Sequence, residues 1–243
     1  MHLNARAILL STRPHGEHGA VVRVLTGDAG VQPGYVRGGR SRALRPILQP
    51  GNVVLGDWRA RTDTQLPALT LELVESRAPL FDDPLSAAAI GWVCALVAAA
   101  LPEAQPYPRI HAAVDGLFAA IAAATAARDW AGALVRTELL ILSELGFGLS
   151  LDECVATGTR GDLTHVSPKS GGAVSRAAAV GLEQRLLPLP PFVLDGTAAS
   201  WEAVFDGLAL SGHFLTRDLL TGRTAGVLDA RTRLVERLKR AVA

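Results

Sequence analysis

The chain has 243 residues, 49% hydrophobic and 19% charged, which excludes a disordered tail and allows one large domain or two to three small ones. Its formal charge of +1 conceals a split: residues 1–80 hold ten Lys/Arg against six Asp/Glu, and residues 81–243 fourteen against seventeen, so an anionic partner is expected in the N-terminal third. Two cysteines, Cys94 and Cys154, make no disulfide framework and suit a reducing cytosol, and MHLNARAILLSTRP shows no basic leader ahead of a long apolar stretch, so no signal peptide is expected.

Residues 1–80 read as strands. ARAILLSTR and AVVRVLT are short and aliphatic or β-branched, and HGEHG between them is rich in turn formers. GDAG leads into VQPGYVRGG, the Pro-Gly turn of LQPGN introduces VVLGDWRAR, and LPALTLELVE closes the series. In that last segment Leu69, Leu71 and Leu73 alternate with Thr70 and Glu72, the period of two that marks a half-buried strand. Five strands in so short a stretch predict a small closed or nearly closed β-barrel, of which the OB-fold is the commonest case.

From residue 81 the texture turns helical. The predicted class is α+β: a barrel domain over 1–80 and a helical domain over 81–243. FDDPLS supplies Asp83 as an N-cap and Pro84 as the first helical residue. The uncharged run Leu85–Leu101 is too short and too alanine-rich for a membrane span, so it reads as an interior helix and no membrane association is expected. Ile110 to Ala127 gives a second helix. Trp130, Leu134, Thr137, Ile141 and Leu145 line one face of a third, which Gly146 ends. Trp201, Val204, Phe205, Leu208, Gly212, Leu215 and Leu219 line another, and Val227, Leu228, Leu234, Val235 and Leu238 the last. Between them lies CVATGTRGDLTHVSPKSGGAV, residues 154–174, too long for a simple connection and expected to be an irregular functional loop or a small subdomain.

No nucleophile or cofactor pattern stands out. SPKSGG lacks the spacing of a phosphate-wrapping loop, and no G-x-S-x-G elbow, H-E-x-x-H or dinucleotide fingerprint occurs. Asp82-Asp83 beside Pro84 reads as capping, and His15 and His18 around Glu17 read as hairpin polarity. Cys154 with only His165 nearby does not make a four-ligand zinc site. A non-enzyme is expected, with no catalytic residue, metal or cofactor.

The informative stretch is VRGGRSRALRP, with Arg37, Arg40, Arg42 and Arg45 and no acidic residue between Asp28 and Asp57. A solvated loop, or pairing with the acidic helical part, is the bland alternative. Against it, guanidinium forks match phosphate bidentately, and Gly38 and Gly39 allow close backbone approach to an anion. Tyr35, Arg59 and Arg61 on the flanking strands add stacking and charge, while Trp58 ranks below them as a core residue. The expected anion-binding set is therefore Tyr35, Arg37, Arg40, Arg42, Arg45, Arg59 and Arg61, which the resemblance below makes the DNA-binding set.

The ordered set AILLSTRPHGEHGAVVRVLTGDAGVQPGYVRGGRSR, LQPGNVVLGDWRAR, LLILSELGFGLSLDECVATG and VSPKSGGAV resembles the RecO family of bacterial recombination mediators over nearly the whole chain. The resemblance implies an N-terminal OB-fold, a helical domain and, in many members, a zinc-finger-like insertion. Zinc-binding members carry Cys-x-x-Cys twice where this chain has Cys154 then Thr157, and Ser175 then Ala178. Three of the four ligand positions are lost, so no zinc is expected. The resemblance also implies binding of single- and double-stranded DNA, annealing of complementary strands and, with RecR, loading of RecA onto strands coated by single-stranded DNA-binding protein. It further implies capture of that protein's acidic C-terminal tail by the helical domain, with Arg128 and Arg136 as candidate cations. A cytoplasmic, nucleoid-associated location follows from the same resemblance. Whether the 154–174 loop touches DNA through Arg160 and Lys169 stays open. The rival expectation is a protein-interaction scaffold whose basic barrel loop meets an acidic protein and no DNA.

Overall fold

The computed structural model describes residues 2–62 and 64–242, and the chain divides into two compact units, Met1–Ala122 with Asp229–Arg237 and Ala123–Leu228 with Leu238–Ala243. The first opens with β1 (His2–His15), β2 (Gly19–Thr26), β3 (Gly30–Val36), β4 (Val53–Arg59) and β5 (Ala68–Glu75). They close into a barrel of order β1-β2-β3-β5-β4, with β4 returning to β1, the strand order of an OB-fold. Strand β1 is long because it serves two neighbours: Ala7 to His15 pair with β2, and His2 to Ile8 pair with β4. The barrel is antiparallel except at the β3–β5 closure, a single parallel pair, Tyr35 with Ala68.

The barrel is filled by Ala7, Leu9, Val22, Val24, Val54, Trp58, Leu69 and Leu71. Ile8 and Leu10 are buried as well, because a bulge between Leu9 and Ser11 bends β1 and a helix covers its other side. That helix is α1 (Pro84–Ala100). Asp83 caps it as expected: its carboxylate accepts the N–H groups of Leu85 and Ser86 at 3.3 and 2.9 Å and the Ser86 hydroxyl at 2.6 Å. α2 (Pro108–Ala123) follows, shorter at its end than the alanine run predicts. The Asp129 carboxylate takes the N–H groups of Thr125 and Ala126, turning the chain into the next helix.

The barrel strands end before residue 80, but compactness does not follow that boundary, since α1 and α2 belong to the barrel's unit. Two arginines of the N-terminal third tie them there. Arg23 donates to the Ala98 carbonyl at 2.8 Å and pairs with Glu103, and Arg77, 4% exposed, pairs with Glu75 and Asp115 at 3.1 and 3.5 Å.

The second unit is built on α3 (Arg128–Leu142), which runs into a wider turn over Ser143–Phe147 where Gly146 takes φ 88°. Of the two expectations for residues 154–174, the small subdomain is what forms rather than an irregular loop: the stretch holds β6 (Leu163–Val166) and β7 (Ala173–Ser175), followed by α4 (Arg176–Ala179) and β8 (Leu187–Pro188) in a small sheet of order β7-β6-β8. Strands of three or four residues are too short to show a period, and the Gly, Ser and Pro of their turns dominate the composition. α5 (Pro191–Asp195) and α6 (Trp201–Phe214) complete the unit. α6 lies on α3, where the fully buried Glu138 accepts the Ser211 hydroxyl at 2.5 Å. α7 (Leu228–Val242) contributes to both units. Among the described residues no helix is long and apolar enough to cross a membrane.

Candidate nucleic-acid interface

β3 ends at Val36, and residues 37–52 cross to β4 as a chain of turns rather than a free loop. Gly38 opens it in the left-handed region, φ 69°, where its neighbours leave space and only glycine is unstrained. Gly39 has a packing role: a Cβ there would stand 2.6 Å from the Ala20 Cβ, so this glycine faces the barrel and not a ligand. Beyond them, Leu44, Ile47 and Leu48 pack on the barrel core. Thr12 donates to the Leu48 carbonyl at 3.1 Å, and the Gly51 N–H to Leu9 at 2.8 Å. Asn52, fully buried, donates to the Pro46 and Ile47 carbonyls and accepts the Arg77 N–H at 2.8 Å. The loop is thus fastened along its apolar side.

Its other side carries the charge. Arg37, Arg40, Arg42 and Arg45 are all exposed. Arg40 is partly committed, its guanidinium donating to the Glu17 carbonyl at 3.0 Å and its N–H to the His18 carbonyl. The guanidinium groups of Arg37, Arg42 and Arg45 have no hydrogen-bond or ion-pair partner among the described residues. A shallow recess of about 530 Å³ lies beside Arg40, lined by Glu17, His18, Gly38 and Ser41.

Barrel closure decides what joins this loop. The registers place Arg13, Val21, Tyr35, Ala68, Arg59 and His2 in one row around the outside: Arg13 opposite Val21, Val21 opposite Tyr35, Tyr35 opposite Ala68, Ala68 opposite Arg59, and Arg59 opposite His2. Tyr35 and Arg59 are therefore two strands apart, about 10 Å between backbones. The Tyr35 ring is half-buried over Gly19 and edge-on to His15, 5.8 Å between centroids. Arg59 forks onto Asp57 at 3.1 and 2.8 Å; this hydrogen bonding holds the Asp57 carboxyl below its usual range and raises Arg59. Arg59 is half-neutralised in place, whereas Arg61 is exposed with no partner among the described residues. Trp58 is fully buried and donates to the Pro33 carbonyl at 3.1 Å. Arg13, whose exposed side chain has no partner among the described residues, is absent from the sequence reading, because only the circuit of the barrel carries it into the row of Tyr35.

Two features of the second unit bear on expected partners. Arg128 and Arg136, exposed and unpaired among the described residues, line one groove of about 590 Å³, whose walls include Gly132, Ala133, Ala198 and Ala199. Cys154 lies in a small core with Val174 and Ala179, against which Ala178 packs. Its sulfur accepts the Ser175 N–H at 3.3 Å, and the hydroxyl hydrogen bonds of Thr157 and then Ser175 bring the thiol down to about 6. Cys154, Thr157, Ser175 and Ala178 thus converge, but one thiol, two hydroxyls and a methyl do not fit a structural zinc. Among the described residues no three His, Cys, Asp or Glu side chains gather as a metal site.

Residues 1–77 match the family model "Recombination protein O N terminal" and residues 82–224 match "Recombination protein O C terminal". A DNA repair protein RecO of Rhodospirillum centenum is 47% identical over 97% of this chain and 94% of its own length. One of Rhodospirillum rubrum is 43% identical over 97% and 95%, and one of Jannaschia sp. 42% over 100% and 98%. With both halves matched in order and the relatives spanned almost end to end, the chain belongs to the RecO family.

Proposed function

We propose that this protein is a non-catalytic DNA repair mediator that binds single- and double-stranded DNA, anneals complementary strands and, with RecR, helps load RecA onto strands coated by single-stranded DNA-binding protein. One observation carries the reading: the guanidinium groups of Arg37, Arg42 and Arg45 stand exposed on a fastened loop with no partner among the described residues, and the strand that carries Tyr35 leads into that loop. Annealing forms no covalent bond. It requires cationic surface that offsets the repulsion of two polyanions while leaving base edges accessible. Contacts to phosphate carry no sequence information, so binding is sequence-tolerant and salt-sensitive. The named relatives are DNA repair proteins, which favours DNA over an acidic protein as the polyanion.

The groove of Arg128 and Arg136 fits the acidic C-terminal tail of single-stranded DNA-binding protein, with small residues accepting apolar side chains and a guanidinium meeting the terminal carboxylate. The cytoplasm is the proposed location.

The test is annealing of two oligonucleotides, bare and coated with single-stranded DNA-binding protein, by wild type and by a variant with Arg37, Arg40, Arg42 and Arg45 all changed to Ala. Wild type anneals; the variant stays folded and loses annealing, and its log–log salt slope is shallower by about 0.7 per lost single-strand contact. Equal annealing by both places the DNA surface elsewhere. Failure of the wild type to bind or anneal replaces this reading with an interaction scaffold. For the groove, Arg128→Ala with Arg136→Ala weakens an acidic peptide with a free C-terminus by about tenfold or more, and amidating that peptide weakens it for the wild type.

A further inference from the structure

The distribution of charge has a third zone. Residues 81–227 hold nine Lys/Arg against fifteen Asp/Glu, yet α7 alone carries Arg231, Arg233, Arg237, Lys239 and Arg240 against Asp229 and Glu236. The helix lies beyond residue 224, where the family match ends. It is held by a narrow seam, Leu234 and Leu238, both fully buried and one turn apart. Beside that seam, Arg233, Arg237 and Arg240 recur at i, i+4 and i+7 on one exposed face.

The helix macrodipole accounts for Lys239 and Arg240 in the last turn and Asp229 in the first. It does not account for Arg233 and Arg237, one turn apart in the middle, where like charges repel. Arg237 has one guanidinium nitrogen on the Pro84 carbonyl at 3.0 Å and is otherwise exposed; Arg233 has no partner among the described residues. Both lie in the compact unit that contains the barrel. From Arg233 to Arg240 the face spans about 10 Å, the axial length of about three nucleotides of a duplex strand.

We propose that this face of α7 is a second phosphate-contact surface, which holds one DNA strand while the Arg37–Arg45 loop holds its complement. The inference rests on the DNA reading above and adds the site that annealing of two strands requires. A bound polyanion also relieves the repulsion of Arg233 and Arg237 that the free helix tolerates.

The experiment uses the full chain, a labelled single-stranded oligonucleotide to occupy the first site, and a second non-complementary one to report the next binding step. In Arg233→Gln/Arg237→Gln/Arg240→Gln the first step is retained. The second weakens by about tenfold, its log–log salt slope falls by about 2 for three contacts, and annealing slows. The matching triple Arg→Lys variant keeps the point charges and retains both steps; if it loses as much as the Gln variant, altered folding is responsible and the proposal falls. Arg233→Glu alone, at a side chain with no internal partner, weakens the second step without lowering the melting temperature. A Gln variant that binds both strands and anneals as the wild type does overturns the α7 site and leaves the loop reading standing. A wild type that binds no DNA overturns both. Loss of binding to anionic lipid vesicles with DNA binding unchanged also overturns the proposal, in favour of a membrane surface.

Discussion

Hydrogen bonds from Thr157 and then Ser175 lower the Cys154 thiol to about 6, whereas burial lifts Cys94 to about 12. Thiolate absorbance should therefore rise in one step near that lower value, and the step should vanish in Cys154→Ser. Because the folded value lies below the ordinary 9.0, the thiolate's stabilisation is fully present above 9.0 and is lost as pH falls through about 6. Stability of the wild type should decline across that window more than stability of Cys154→Ser. Glycines give a second contrast. A Cβ on Gly30 would stand 1.9 Å from the Gln105 carbonyl oxygen at φ +71°, so Gly30→Ala should cost about 2–4 kcal/mol in denaturant unfolding. At Gly38, with nothing within 4 Å, the same change meets only left-handed strain and should cost about 1 kcal/mol.

Elements show where the sequence is readable. The cap of α1 is legible because Asp83, Pro84 and Ser86 form a local signal whose partners lie within three residues. Asp83→Ala should lower stability by about 1 kcal/mol. The Asp83 carboxyl is held below 3.8, chiefly by the Ser86 hydroxyl, so the contribution exists above 3.8 and fades as pH falls through the folded value. An acid melt should therefore converge for wild type and variant. The end of α2 is illegible, since Asp129, several residues away in a helix of its own, decides it. The sheet of β6, β7 and β8 is equally hidden: its strands are too short for a period, and Cys154 reaches Ser175 across the whole insertion.

In the whole molecule, the basic N-terminal third is visible in the composition, but composition does not say which cations are committed. Arg23 and Arg77 bind helices of their own unit, Arg59 is forked onto Asp57, and Arg40 fastens a turn, while Arg37, Arg42, Arg45 and Arg13 remain available among the described residues. That sorting depends on barrel closure, which joins residues far apart in sequence. Asn52, whose amide holds the loop to the barrel, reads in the sequence as one more turn residue. Asn52→Ala should leave the arginines in place chemically yet loosen the loop, lowering DNA affinity at unchanged salt slope.

The closure itself has a dynamic consequence. β3 and β5 meet through one register pair and the Tyr35 N–H bonded to the Pro67 carbonyl at 2.8 Å, while every other seam of the barrel is a long antiparallel ladder. Amide exchange should be fastest along this edge, and a strand lying from Tyr35 to Arg59 would bridge it. Binding should then slow exchange at Tyr35, so that the barrel registers its ligand as a rise in local rigidity at its least-bonded seam.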